Sequence, residues 1–139
     1  MFNPKASLEI INQMSKNTLV EHLDIQVIEI GEDYLIGRMP VDHRTHQPMG
    51  LLHGGASVVL AETLGSIAAT LTVNLEQQYC VGLDINANHI KSVKGGFVYG
   101  RTTAIHIGKK TQVWEIRITN EADELICISR LTMAVLDKK

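Results

Sequence analysis

The sequence predicts an α+β domain in which one curved, antiparallel, six-stranded sheet wraps around one long central helix. Three observations carry that reading. From Gly54 to about Leu75 the chain is apolar nearly all round and rich in small residues, the pattern of a helix buried on most faces. Four strand-like segments follow it, separated by short polar interruptions. Two more precede it, flanking Gly31-Glu32-Asp33. With 139 residues the chain has material for one core, so residues 1–139 are expected to form one domain.

Each element has its own local warrant. Pro4 to Met14 carries Leu8, Ile10, Ile11 and Met14 at helical spacing, which predicts a short amphipathic helix. Thr18 to Leu23 can add one further turn. Ile25-Gln26-Val27 and Tyr34-Leu35-Ile36 read as strand, turn, strand. Between Val41 and Leu52 the pattern stops, and with Pro48 and Gly50 the stretch reads as a long polar loop. The β-branched residues of the central segment lower its helix propensity, so burial must hold it. Val81–Ile90, Phe97–Ile107, Gln112–Thr119 and Leu125–Leu136 are then separated by Lys94-Gly95-Gly96, Gly108-Lys109-Lys110 and Asn120–Glu124. Read as hairpin turns, these predict an antiparallel meander. A single sheet layer leaves edges and an apolar flank uncovered, so pairing with a second copy is expected.

Composition removes several function classes. The chain is 45% hydrophobic and 20% charged with a net charge of -2, whereas a nucleic-acid-binding surface needs a basic excess. No apolar run approaches the roughly 20 residues of a membrane span. The opening MFNPKASLEIINQM lacks a basic start followed by an uninterrupted apolar stretch, so no signal peptide is expected and the location is read as cytoplasmic. Cys80 and Cys127 each sit in an apolar run without metal-ligand spacing and are expected as buried thiols. His43, His46 and His53 have no Cys, Asp or Glu cluster to complete a metal geometry, so neither metal nor cofactor is expected. No Gly-x-Ser-x-Gly elbow, P-loop or dinucleotide fingerprint is present.

What remains is chemistry on the central helix. Glu62 is a carboxylate flanked by Val58, Val59, Leu60, Ala61, Leu64 and Ile67, a setting expected to bury it. A partly desolvated carboxylate suits a nucleophile or general base. At the helix start, His53 precedes Gly54-Gly55, where backbone N–H groups are open to a ligand and the helix dipole favours negative charge. Glu62 lies seven residues beyond Gly55, or ~10 Å along the axis at ~1.5 Å per residue. A carbonyl group held at one helix start is therefore out of reach of the same chain's Glu62, and a site shared between two antiparallel copies is expected. Alternation along Val81–His89 puts Val81, Leu83, Ile85, Ala87 and His89 on the helix-facing side. Ser66, one turn after Glu62, shares its face and can bind water or the carboxylate. Lys109 and Lys110, with Lys91, Ser92 and Lys94 read as a neighbouring turn, can meet phosphates.

The run Gln47-Pro48-Met49-Gly50-Leu51-Leu52-His53-Gly54-Gly55-Ala56-Ser57-Val58-Val59-Leu60-Ala61-Glu62 resembles the hotdog-fold acyl-CoA thioesterases of the PaaI type. Within them it is similar to the branch holding the 1,4-dihydroxy-2-naphthoyl-CoA thioesterase of menaquinone synthesis and the enterobactin proofreading thioesterase. Val81–His89, Gln112-Val113-Trp114 and Ser129-Arg130-Leu131-Thr132 extend the likeness to nearly the whole chain. The resemblance implies the hotdog fold and Glu62 as nucleophile or general base. It implies Gln47 and His53 holding and polarising the thioester from a facing subunit, Gly55 N–H as oxyanion donor, and His89 and Ser66 assisting. Gly82, His89, Ile90, Lys91 and Ser92, with His106, Ile107, Gly108, Lys109, Lys110 and Thr111, correspond to positions lining the acyl-CoA path beside Gly54. A dimer of dimers is implied, as is an aromatic acyl-CoA substrate, dihydroxynaphthoyl-CoA first and a hydroxybenzoyl type second. Ile67-Ala68 departs from the branch where residues vary with substrate choice. The alternatives are a thioester on a misacylated aryl carrier protein, a hydroxyacyl-thioester dehydratase, and a non-enzymic acyl-CoA-binding module.

Overall fold

Ser7 opens the first helix by accepting a hydrogen bond from the Ile10 amide at 3.2 Å. In the computed structural model, which describes residues Met1–Lys139, this helix (α1, Leu8–Gln13) is shorter than the expected Pro4–Met14. A single further turn follows (α2, Leu19–His22). Strands β1 (Gln26–Ile30) and β2 (Tyr34–Pro40) form the expected hairpin, closed by the Gly31 amide donating to the Tyr34 carbonyl at 2.8 Å. The central helix α3 runs Gly54–Thr70, stopping short of Leu75. Strands β3 (Gln78–His89), β4 (Phe97–Ile107), β5 (Thr111–Thr119) and β6 (Leu125–Asp137) complete the chain.

All six strands form one antiparallel sheet in the order β1-β2-β4-β5-β6-β3. The expected meander therefore holds only for β4, β5 and β6. Strand β3 pairs with β6 at the edge, from Gln78↔Asp137 to His89↔Cys127. Residues 90–96 are not a hairpin turn but a crossing link. Ile90 donates to the Ile126 carbonyl at 2.7 Å, Leu52 to Val93 at 2.8 Å and Val41 to Gly96 at 2.8 Å. Those bonds tie the link to the start of β6 and to the loop ahead of α3.

A second correction concerns β3 itself. A bulge between Gly82 and Asp84 shifts the register, so strict alternation fails along the strand. Ile85 and Ala87 pack against the core as expected, but Cys80 joins them from beyond the bulge. Val81 and Leu83, expected on the helix side, are 39% and 60% exposed.

Helix α3 packs against β2, β3, β4, β5 and β6, so the sheet does wrap it. The core centres on Leu35, Leu60, Leu64, Trp114, Ile116 and Leu131, all fully buried. Close approach of helix and sheet is set by a glycine pair. Gly37 and Gly100 face each other on β2 and β4, and Leu64 fills the hollow they leave. A Cβ at either position would stand 2.3 or 2.6 Å from a Leu64 methyl. Polar groups at the far end of α3 are chained together: Trp114 Nε1 donates to Gln112 Oε1 (2.8 Å), Gln112 Nε2 to Thr72 Oγ1 (2.8 Å), and Thr72 Oγ1 to the Ala69 carbonyl (2.7 Å).

The two sheet edges differ. Asn12 clasps β1 by donating Nδ2 to the Val27 carbonyl and accepting from the Val27 amide, both at 3.0 Å. Edge strand β3 is longer and carries no such clasp, with Tyr79, Val81 and Leu83 exposed along it. No helix is long and apolar enough to cross a membrane. Both cysteines are free; Cys127 is buried as expected, Cys80 only half-buried, and burial pushes each thiol up.

Candidate active site

The start of α3 is built by His53. Its backbone is extended (φ -70°, ψ 130°), and its ring Nδ1 accepts the Gly55 N–H at 2.8 Å, making His53 the N-cap. An accepting Nδ1 leaves the proton of the neutral ring on Nε2, whose N–H is then a donor. The Gly55 N–H, expected as a free oxyanion donor, is thus already committed inside the chain. The Gly54 N–H has no partner. His89 reaches this helix start from β3: its Nε2 stands 2.8 Å from where a Gly54 Cβ would be.

The loop ahead of α3 is polar yet anchored. Thr45 is 2% exposed and donates Oγ1 to the Pro40 carbonyl at 2.8 Å, while its own carbonyl takes the His53 amide at 2.8 Å. Arg44 grips Asp42 with Nε and a terminal nitrogen at 3.1 and 2.7 Å, which pulls the Asp42 carboxyl down to about 2. Gly50, with φ +77°, lets the chain turn so that Gln47 N–H meets the Leu51 carbonyl at 2.7 Å. The Gln47 carboxamide oxygen accepts from Met49 N–H, which leaves its NH2 free to donate.

One cleft of about 310 Å³ collects Gln47, Gly54, His89, Ile90, Lys91 and Ser92 at this end of the helix. Lys91 is not free there, because it is ion-paired with Glu124, whose carboxyl it holds below the ordinary range.

Glu62 lies elsewhere. Helix α3 is buried on one side only, along Ser57, Leu60, Ala61, Leu64, Gly65 and Ala68, whereas Glu62 is exposed with Thr63, Ser66 and Ile67 half-buried beside it. The expectation of a buried Glu62 fails for the isolated chain, because Leu60, Ala61 and Leu64 turn to the sheet and the carboxylate does not. It makes no hydrogen bond or ion pair. Its Oε2 stands 2.8 Å from where a Gly82 Cβ would be, so it lies over the β3 bulge. Ser66 Oγ, one turn on, points to Met133 Sδ at 3.8 Å, on the same side as Gly82. Glu62 and Ser66 open onto a second, largely apolar cleft of about 580 Å³.

The remaining predicted positions are at the opposite end of β3. Ile107, Gly108, Lys109 and Lys110 line a third cleft with Gln78 and Asp137. His106 sits on β4, opposite Val113, and Thr111 starts β5 opposite Ala134. The two lysine groups are therefore not on neighbouring turns within one chain. Lys91 follows the His89 end of β3, and Lys110 accepts from Val135 near its Gln78 end. Sequence reasoning did not place Ile10, Met14, Val20 and Leu75 beside Glu62, yet all four line the second cleft with it. Helical spacing marked Ile10 and Met14 as an apolar face, but nothing local said what that face meets.

Comparison with known proteins identifies the family. The model of the family described as the thioesterase superfamily matches residues 49–127, from the Gln47–His53 loop into β6. The chain is 52% identical over 132 residues to the 1,4-dihydroxy-2-naphthoyl-CoA hydrolase of Escherichia coli, covering 95% of this chain and 96% of that one. It is 50% identical to the proofreading thioesterase EntH of Cronobacter turicensis, covering 94% of each. A crystal structure of a Pseudomonas aeruginosa thioesterase variant superposes with a TM-score of 0.97 at 47% identity, covering 99% of both chains. The sheet wrapped on α3 is the hotdog fold, and the chain belongs to the thioesterase superfamily as a thioester hydrolase.

Proposed function

We propose that the chain hydrolyses an aromatic acyl-CoA to free acid and coenzyme A at a site shared by two copies. Glu62 comes from one copy, and Gln47, His53 and the Gly54-Gly55 turn come from the other. The observation that carries this reading is the separation of the two halves. An unpaired carboxylate opens onto an apolar cleft, while Gln47 and Gly54 line a different cleft at the helix start, where His53 caps α3. Neither half is a thioesterase alone.

Two antiparallel copies joined at the bare β3 edge bring the halves together. The same arrangement sets one chain's Lys91-Ser92 beside the other's Lys109-Lys110, because these flank opposite ends of β3. Coenzyme A phosphates are then met from both sides. Two such dimers make the homotetramer, and the cytoplasm is the proposed location.

In the reaction, the carboxylate either takes a proton from the attacking water or itself attacks the thioester carbon. Negative charge passes to the carbonyl oxygen, which meets the Gln47 NH2, the His53 Nε2–H and the Gly54 N–H, each worth about 3 kcal/mol when preorganised. Gly55 supports this by holding the His53 ring, and donates directly only if that ring turns away. The C–S bond then breaks. On the water route the free acid forms at once and the leaving thiolate takes back the proton that Glu62 removed from water. On the nucleophilic route the thiolate is protonated by solvent, a mixed anhydride with Glu62 is left, and water cleaves it to release the acid and restore the carboxylate. Hydrolysis in ¹⁸O water under single turnover, with label sought in Glu62, separates the two routes.

The relatives support two substrate classes. The Escherichia coli protein is named for 1,4-dihydroxy-2-naphthoyl-CoA, which favours that thioester and a place in menaquinone biosynthesis, with hydroxybenzoyl-CoA as the second candidate. The Cronobacter protein is named a proofreading thioesterase, which favours an aryl group carried on a carrier protein as the alternative. Thiol release is measured on dihydroxynaphthoyl-CoA, hydroxybenzoyl-CoA and an aryl-loaded carrier protein. Higher kcat/KM on the first two supports the proposal; preference for the carrier overturns it in favour of the second reading.

A further inference from the structure

Ile10 (56% exposed), Met14 (73%) and Leu75 (43%) are large apolar side chains open to solvent, and all three face the cleft that holds Glu62 and Ser66. Scattered exposed apolar residues need no explanation, but convergence around an unpaired carboxylate in a concave cleft does. One wall of the cleft is α3, from Glu62 through Ile67 to Leu71. The opposite wall is the N-terminal segment that carries α1 and α2.

That wall is fastened along its length. Asn3 N–H donates to the Leu71 carbonyl at 2.7 Å, where α3 ends, and Phe2 stacks on buried Trp114 with ring centres 6.2 Å apart. Further on, the two Asn12 bonds to Val27 pin α1 to β1, and Ile11 is buried behind it. Ile10 and Met14, four residues apart, are left on the face turned to α3. From Glu62 to Leu71 the cleft runs nine residues of helix, ~13 Å, longer than a single aryl ring.

We infer that the N-terminal segment is the fixed wall of the acyl pocket, and that Ile10 and Met14 set the size of the acyl group it admits. The acyl group enters at Glu62 and lies along α3 towards Leu71 and Leu75. This rests on the reading of Glu62 as the catalytic carboxylate, and it places the size filter in the same chain as that residue rather than in the facing copy.

The test compares wild type with Ile10→Trp, Met14→Trp, Ile10→Ala and Met14→Ala on 2-naphthoyl-CoA and benzoyl-CoA. Tryptophan is expected to lower the naphthoyl-to-benzoyl ratio of kcat/KM about tenfold, and alanine to leave it equal or raise it. The non-hydrolysable thioethers S-(2-naphthylmethyl)-CoA and S-benzyl-CoA, measured by calorimetry, should show the same ordering in Kd. If wild type and variants show this ordering with the thioethers while wild type hydrolyses neither thioester, the thioesterase reading is overturned and the pocket assignment stands. Ratios unchanged in all four variants overturn the assignment. So does a changed oligomeric state with unchanged ratios, since a second copy then covers the cleft.

Discussion

His53 and Gly55 hold each other: the ring Nδ1 accepts the Gly55 N–H at 2.8 Å, so the helix cap also fixes the tautomer of a site histidine. One bond thereby joins the stability of α3 to the aim of the Nε2–H. Asparagine also caps helices but has no second ring nitrogen. His53→Asn is expected to keep stability within about 0.5 kcal/mol, while kcat falls about 100-fold through loss of a donor. His53→Ala should lose both, with about 1 kcal/mol of stability gone. Thermal melts and thioester kinetics on the two variants check this.

Glu62 is exposed and unpartnered in the chain, so its charge does little for the fold. Glu62→Gln is expected to leave Tm nearly unchanged and to lower kcat by 100-fold or more, in the ~10²–10⁴ range of a lost proton-transfer group. Circular dichroism melts and thioester assays on the purified variant measure both.

Leu64 fills the hollow between Gly37 and Gly100, and a methyl group at either glycine would overlap it. Gly100→Ala is expected to cost about 1–3 kcal/mol as an overpacked core, read from urea melts.

Thr102 is fully buried on β4, and its hydroxyl has no hydrogen-bond partner. Thr102→Val removes that unpaired group at nearly constant shape and is expected to stabilise by about 1 kcal/mol. A raised urea midpoint with an unchanged slope is the signature.

Asp42 is drawn from 3.8 to about 2 by Arg44. A folded-state value below the unfolded one adds stability that is present above about pH 4 and lost as pH falls through about 2. The stability difference between wild type and Asp42→Asn should therefore shrink across that interval, as followed by acid-dependent melts.

Much of this was legible from residue pattern alone. The six strands, the central helix and the Gly54 start all follow from spacing, and Ser66 lies one turn from Glu62 as helical periodicity requires. What escaped has physical reasons. Lys94-Gly95-Gly96 carries the residues of a hairpin turn, but its link bonds to Leu52 and Val41 and crosses the sheet, and local pattern does not reveal distant partners. The Gly82 bulge breaks the alternation that put Val81 and Leu83 inward. The apolar neighbours of Glu62 predict its burial, yet Leu60, Ala61 and Leu64 serve the sheet on one side and leave the other open. Helical spacing marks Ile10 and Met14 only as an amphipathic face, since the Asn12 clasp on Val27 and a wall facing α3 are both long-range contacts.

The central claim, a catalytic site completed by two chains, is tested most directly by mixing two inactive variants. Glu62→Ala and His53→Ala chains carrying different tags are co-expressed, and verified mixed dimers are isolated. A shared site leaves one intact Glu62–His53 pair per mixed dimer, so about half of wild-type activity should return, since the two-fold arrangement makes two equivalent sites. Mixed dimers as inactive as their parents would contradict it.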